Sequence, residues 1–202
     1  MEIAGRKIST GLIIGVILGI IVLWGVVWNN GTVDAAEDVK SQWGQVESTY
    51  QMRNDLIPNL INVVKGYAKH ESEVLIQVTE ARASIGSVKI DPSNMSQEQI
   101  NQFEQSQSSL GSAVSRLLVL QESYPDLKAN ENFKQLNVEW SSIERRINTE
   151  RIRFNEIAGT YNKRIQKVPG NLFNAISGFE ARPYFEAQKG AEIAPSSESL
   201  LK

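Results

Sequence analysis

The sequence predicts an all-α protein in which one N-terminal transmembrane helix leads into a long antiparallel bundle of four helices with coiled-coil-like packing. Three observations carry that prediction. Residues 11–28 hold no charged side chain. Beyond them apolar residues recur at alternating steps of three and four, the spacing that lays a stripe along one helix face. No segment alternates apolar and polar residues for the length a strand requires.

The apolar run "GLIIGVILGIIVLWGVVW", extended by Ile8, Ser9 and Thr10, reaches the roughly 20 residues a helix needs to cross a bilayer. Its apolar side chains keep to no single face, as lipid on all sides demands, and Trp24 and Trp28 fall where interfacial anchors sit. A cleaved signal peptide is the competing reading, but its apolar core usually runs only about 7–15 residues. The span is therefore placed at residues 8–28, after a short cytoplasmic tail at 1–7. Arg6 and Lys7 precede it and Asp34, Glu37 and Asp38 follow, so the positive-inside rule predicts a single-pass protein of the cytoplasmic (inner) membrane, N-terminus inside and bundle extracytoplasmic.

The bundle domain is expected over residues 33–168. Its first stripe is Val39, Trp43, Val46, Tyr50, Arg53, Ile57, Leu60, Val64 and Tyr67, and the phase continues through Val74, Val78, Ala81, Ile85 and Val88. One unbroken helix of that length would reach roughly 80 Å at 1.5 Å per residue. Gly66 and "KHES" offer a turn, so helices are predicted near 33–68 and 71–88. Ser96 and Gln99 form a capping box for a third helix over 96–123, with the stripe Ile100, Phe103, Gln107, Leu110, Val114, Leu117, Gln121 and Tyr124. Pro125 stops that run, and Asn130 caps a final helix over 131–168 whose stripe runs from Phe133 and Leu136 through Trp140, Ile143, Ile147, Glu150, Phe154, Ile157, Tyr161 and Arg164 to Val168.

Among the polar residues on these stripes, Arg53, Gln107 and Glu150 fall within the helices rather than near their ends. Counting heights from the membrane-proximal ends at residues 33 and 168 sets them level, so they are expected to form one buried polar layer that fixes helix register. Asp55, two residues from Arg53, should face solvent, and Pro58 should bend the helix. Past the bundle, residues 169–187 form an aromatic segment that either caps the core or lies in the lipid interface, which makes Phe173, Phe179, Tyr184 and Phe185 the candidates for partner or membrane contact. Residues 188–202 are small and polar enough to be disordered.

Little chemistry is legible. The absence of cysteine excludes disulfides and thiolate catalysis, and a formal charge of −2 gives no electrostatic reason for binding nucleic acid. His70 is the sole histidine, beside Glu71 in a polar turn; without HExxH, a Glu-x-x-His pair, a nucleophile elbow or a phosphate loop, neither an enzyme nor a metal or cofactor site is expected. The mixed charges of the last helix, Arg145 to Lys167 among glutamates, read as a solvated face.

The blocks "DLIPNLINVVKGYAKHESEVL", "VTEAR", "YPDLKANENFKQL" and "GFEARPYFEA" resemble those of the LemA family, bacterial proteins with one N-terminal span and a helical-bundle domain, over residues 43–187. Where similar proteins usually have tyrosine and asparagine this chain has Phe154 and Asn155, which removes a hydroxyl. The resemblance implies a membrane anchor and a helical fold. It implies no activity, since the family has no established biochemical function, although its members are often encoded near membrane or envelope proteins, including TPM-domain proteins. The expected role is a cell-envelope scaffold that meets the bilayer through residues 8–28 and an unknown membrane or envelope protein through its bundle, with self-association open. The alternatives are a ligand-binding or sensory module and an accessory subunit of an envelope enzyme.

Overall fold

The computed structural model describes residues 10–86 and 88–186. The expected cytoplasmic tail and the expected disordered tail lie outside those residues. Six α-helices follow in order: α1 (Thr10–Tyr67), α2 (Ser72–Ile85), α3 (Gln97–Val119), α4 (Pro125–Ala129), α5 (Glu131–Gln166) and α6 (Gly170–Ser177). The described residues contain no strand.

The first helix is one continuous rod. Its N-terminal part is long and apolar enough to cross a membrane and is exposed throughout, and it runs without interruption into the segment that carries Val39, Trp43, Val46, Ile57, Leu60 and Val64 into the core. Pro58 is accommodated inside it. The rod stops at Tyr67, and residues 68–71 turn the chain into α2, so the break lies where Gly66 and "KHES" offered one. Of its polar residues, Arg53 is buried, while Asp55 is exposed and accepts a bond from Gln51 one turn earlier at 2.7 Å.

Local signals explain the other ends. Ser96 Oγ accepts from the Gln99 N–H at 3.2 Å while Gln99 Oε1 accepts from the Ser96 N–H at 2.9 Å, closing the box that starts α3. Between the third and the last of the predicted helices the chain forms a further helix: Pro125 opens α4 at a first-turn position, where its missing N–H costs nothing. Asn130 then ends α4 and caps α5, accepting the Phe133 N–H at 2.9 Å and donating to Tyr67 Oη at 2.9 Å.

The long helices α1 and α5 lie against one another in opposite directions: Arg164 meets Thr32, Gln42 meets Glu150, and Arg53 meets Glu144. The α2–α3 hairpin is likewise antiparallel, through Arg116 to Gln77 and Tyr124 to Glu71. It packs on the first pair through Phe103, whose ring lies 5.5 Å from Trp43 and 4.9 Å from Tyr50. Buried positions follow the predicted stripes through the middle of α1, α3 and α5, but Tyr67 is exposed at the end of α1 and the stripe is lost near the end of α5. There Ala158, Asn162 and Ile165 are buried while Val168 is exposed, because a strict heptad phase drifts around a 3.6-residue helix.

Asn130→Ala removes both the α5 cap and the Tyr67 bond, and is expected to lower the unfolding free energy by about 1 kcal/mol. Asn130→Asp, which keeps the capping acceptor, should recover most of that loss in denaturant melts followed by circular dichroism.

Candidate functional site: a polar core layer and a clamped strap

Arg53 projects from α1 into the core and is only 4% exposed. Its Nη1 donates to Glu144 Oε1 at 2.9 Å, and its Nη2 donates to the Gln107 carbonyl at 3.1 Å and to Gln107 Oε1. The guanidinium stacks over Tyr50 and Trp140, 5.0 and 5.7 Å from the ring centroids. Burial raises the Tyr50 phenol above its usual range despite the opposing pull of Arg151 and Arg53.

Arg53 and Gln107 therefore meet, and Glu150 does not join them. The carboxylate of Glu150 accepts from Gln42 Nε2 at 2.8 Å, in a separate layer nearer the span, with Arg153 3.7 Å away. The expected single layer was misplaced because its heights were counted from residues 33 and 168, as if both marked the base of the bundle. In fact Arg164 bonds Thr32 Oγ1 at 2.9 Å and the Trp28 carbonyl at 3.1 Å, so α5 runs further toward the span than that alignment allowed. The six positions between Glu150 and Glu144 amount to about 9 Å of helix rise. Glu144 escaped notice because it flanks the seam, with 37% of its side chain exposed, and reaches inward from there.

The second feature had no signal in helical periodicity. Residues 178–186 leave α6 as an extended strap that runs along α5 and α3. Gly178 starts it at φ 72°, a left-handed conformation suited to glycine. Side-chain amides then grip the strap backbone, each taking the N–H and the carbonyl of one residue. Asn174 holds Phe179 at 2.9 and 2.9 Å, Asn162 holds Arg182 at 2.7 and 2.8 Å, Gln97 holds Tyr184 at 3.2 and 2.9 Å, and Asn155 holds Phe185 at 2.9 and 2.8 Å. Tyr161 Oη donates to the Glu180 carbonyl at 3.0 Å, and burial raises that phenol's pKa. These bonds replace the ladder that a neighbouring strand would supply, since a buried backbone group without a partner is costly.

The four aromatic candidates separate along this path. Phe173 lies on the span side, its ring 5.9 Å from Trp24 and 5.7 Å from Trp28, and Phe179 sits 6.1 Å from Trp28. Tyr184 is at the surface, accepting from Asn162 Nδ2 at 2.9 Å. Phe185 enters the core, stacked on Trp43 at 6.0 Å and edge-on to Phe154 at 5.4 Å. Phe154 is fully buried in that aromatic pocket, where a phenol in its place would bring a hydroxyl needing a partner.

At Glu186, the last described residue of the strap, the carbonyl accepts from Arg151 Nη2 at 3.3 Å, and Arg151 also pairs with Glu104. Burial raises the Glu104 carboxyl, with Arg151 opposing. From that pair a cleft of about 520 Å³ continues between α3 and α5, floored by Tyr50, Arg53 and Gln107 and walled by Ser112, Ser115, Glu144 and Ile147. The Nε of Arg53 has no hydrogen-bond partner. His70 is exposed in the turn after α1, and the described residues hold no group of three or more metal-ligating side chains.

Comparison with known proteins places this architecture. Residues 42–197 match the profile of the LemA family. The chain belongs to the LemA family. The matched region begins at Gln42, in the polar layer of Glu150, and covers the rest of α1, the later helices, the strap and its amide clamps, while residues 10–41 of α1 lie outside it. MamQ 1 and MamQ 2 of Paramagnetospirillum magneticum and MamQ of Magnetospirillum gryphiswaldense, all named as magnetosome proteins, are each 24% identical over 180 residues, covering 81% of this chain and 66% of the relative. The chain thus spans slightly less than two thirds of the length of these relatives.

Arg53 and Glu144 are expected to couple by about 0.5–3 kcal/mol in a double-mutant cycle, whereas Arg53→Met and Glu150→Gln should be nearly additive. For the strap, Asn155→Ala strands both backbone groups of Phe185 and should destabilise the fold by about 1–3 kcal/mol. Limited proteolysis of that variant should cut within residues 178–186 faster than in the parent.

Proposed function

We propose that this LemA-family protein is a membrane-anchored scaffold of the bacterial cell envelope, without enzymatic activity, which presents an antiparallel four-helix bundle to a membrane or envelope protein. The observation that supports it is the unbroken helix Thr10–Tyr67: with no linker between apolar segment and bundle, the bundle stands as a rigid extension of its anchor. The anchor crosses the cytoplasmic membrane once. Arg6 and Lys7 before it and Asp34, Glu37 and Asp38 after it favour an extracytoplasmic bundle. The names of the relatives record an association with the magnetosome and no reaction, in keeping with a structural role. The partner's docking face in this reading is the α3–α5 cleft, which is polar and lies beside Arg151 and Glu186.

The polar lining of that cleft, with Arg53 on its floor among Glu104, Gln107, Glu144 and Arg151, favours one second reading, a binding site for a small polar ligand. Photo-crosslinking in intact cells from Ser112 and Ser115 separates the two: one recurrent envelope protein is expected, and its absence would favour the ligand. Protease added to intact spheroplasts should digest the bundle, and digestion only after lysis would reverse the orientation.

A further inference from the structure

The surface that continues the span into the bundle is not formed by the aromatic residues that the sequence points to. On α6, Phe173 turns inward against Trp24, Trp28 and Gly25, where a Cβ would come within 3.2 Å of its ring. Gly170 lets α6 start directly against Trp28, since a Cβ there would lie 2.8 Å from Trp28 Nε1. Ser177 Oγ donates to Asn29 Oδ1 at 3.1 Å at the other end. The helix is thus held along the last turns of the apolar segment.

What α6 leaves outward is aliphatic. Leu172 and Ile176, one turn apart, are 65% and 88% exposed, and Val168 just before the helix is 77% exposed. They do not form an isolated patch. Ile176 and Phe173 share an apolar groove of about 390 Å³ with Ile21, Val22, Gly25 and Val26, so the outer face of α6 is continuous with the exposed side of the span. Lys163 and Lys167 lie exposed at the end of α5, where they can meet headgroup phosphates while the aliphatic row lies in the acyl boundary.

We infer that α6 is a second, one-sided membrane contact: Val168, Leu172 and Ile176 insert into the lipid interface of the leaflet facing the bundle. This rests on the reading of the N-terminal segment as a span. Counted at 1.5 Å per residue from Thr10, residues 24–28 lie roughly 21–27 Å along the helix, at the far edge of a hydrocarbon core about 30 Å thick. A helix packed at that height meets lipid rather than bulk water. Because α1 carries any tilt of the span straight into the bundle, a contact on one side of the span restrains how far the bundle leans.

The chain has no cysteine, so single substitutions at exposed positions report cleanly. Full-length protein carrying Leu172→Cys or Ile176→Cys, nitroxide-labelled and reconstituted in phosphatidylcholine–phosphatidylglycerol vesicles, is compared with Ile17→Cys in the span and Val138→Cys on the exposed side of α5. Relaxation by oxygen, which concentrates in lipid, is read against relaxation by a water-soluble nickel chelate. Oxygen should dominate at residues 172 and 176 by the margin seen at residue 17, with the chelate dominating at 138. Chelate dominance at 172 and 176 with residue 17 still in lipid would overturn the contact and leave the anchor standing. Chelate dominance at 17 as well would remove both. Shielding of 172 and 176 from both relaxants, with spin coupling between copies, would show a second copy covering α6 and would also overturn the lipid contact.

Discussion

Three polar contacts mark heights along the seam between α1 and α5: Arg164 on Thr32, Gln42 on Glu150, and Arg53 on Glu144. A slip of one helical turn would carry each donor about 5.4 Å from its acceptor and leave charges in the core without partners. The same register sets the ring contact of Trp43 on Phe154, with centroids 5.7 Å apart. The rest of the molecule hangs from that register. It sets α5 low enough for Arg164 to reach the Trp28 carbonyl, and α6 therefore emerges beside the span rather than above it.

The same register positions the strap. Asn155 and Asn162 stand two turns apart on α5, and with Gln97 across on α3 they meet an extended chain at successive backbone groups. An all-helical protein has no free strand edge to pair such a segment, so side-chain amides take over the work of a ladder. Phe185 then completes the Trp43, Phe103 and Phe154 cluster. A C-terminal stretch that looks peripheral in the sequence is thus a member of the core. Between α3 and α5 the small residues Gly111, Ser112 and Ser115 line the cleft that also holds Arg53 and Glu144.

Much of this was legible before any coordinates. The apolar run, the turn after Tyr67, the caps at Ser96 and Asn130 and the buried faces of α1 and α3 all follow from local rules, because helix periodicity and capping depend on residues within a few positions of each other. Arg53 and Gln107 were recognisable for the same reason: polar residues on an apolar stripe must find one another or water.

By itself the sequence determined the class of the fold, the long helices of the bundle and the presence of polar groups inside it, but not α4, α6 or the continuity of α1. Only the tertiary structure decided which of those groups meet. Partner choice depends on how far one helix slides along another, and that distance is set jointly by Arg164, the continuous α1 and the packing of α6 on Trp24 and Trp28. Glu144 in place of Glu150, amide clamps on the strap, and aliphatic rather than aromatic residues turned outward on α6 are all consequences of that one alignment, which no local pattern encodes because its terms lie 91 to 136 residues apart.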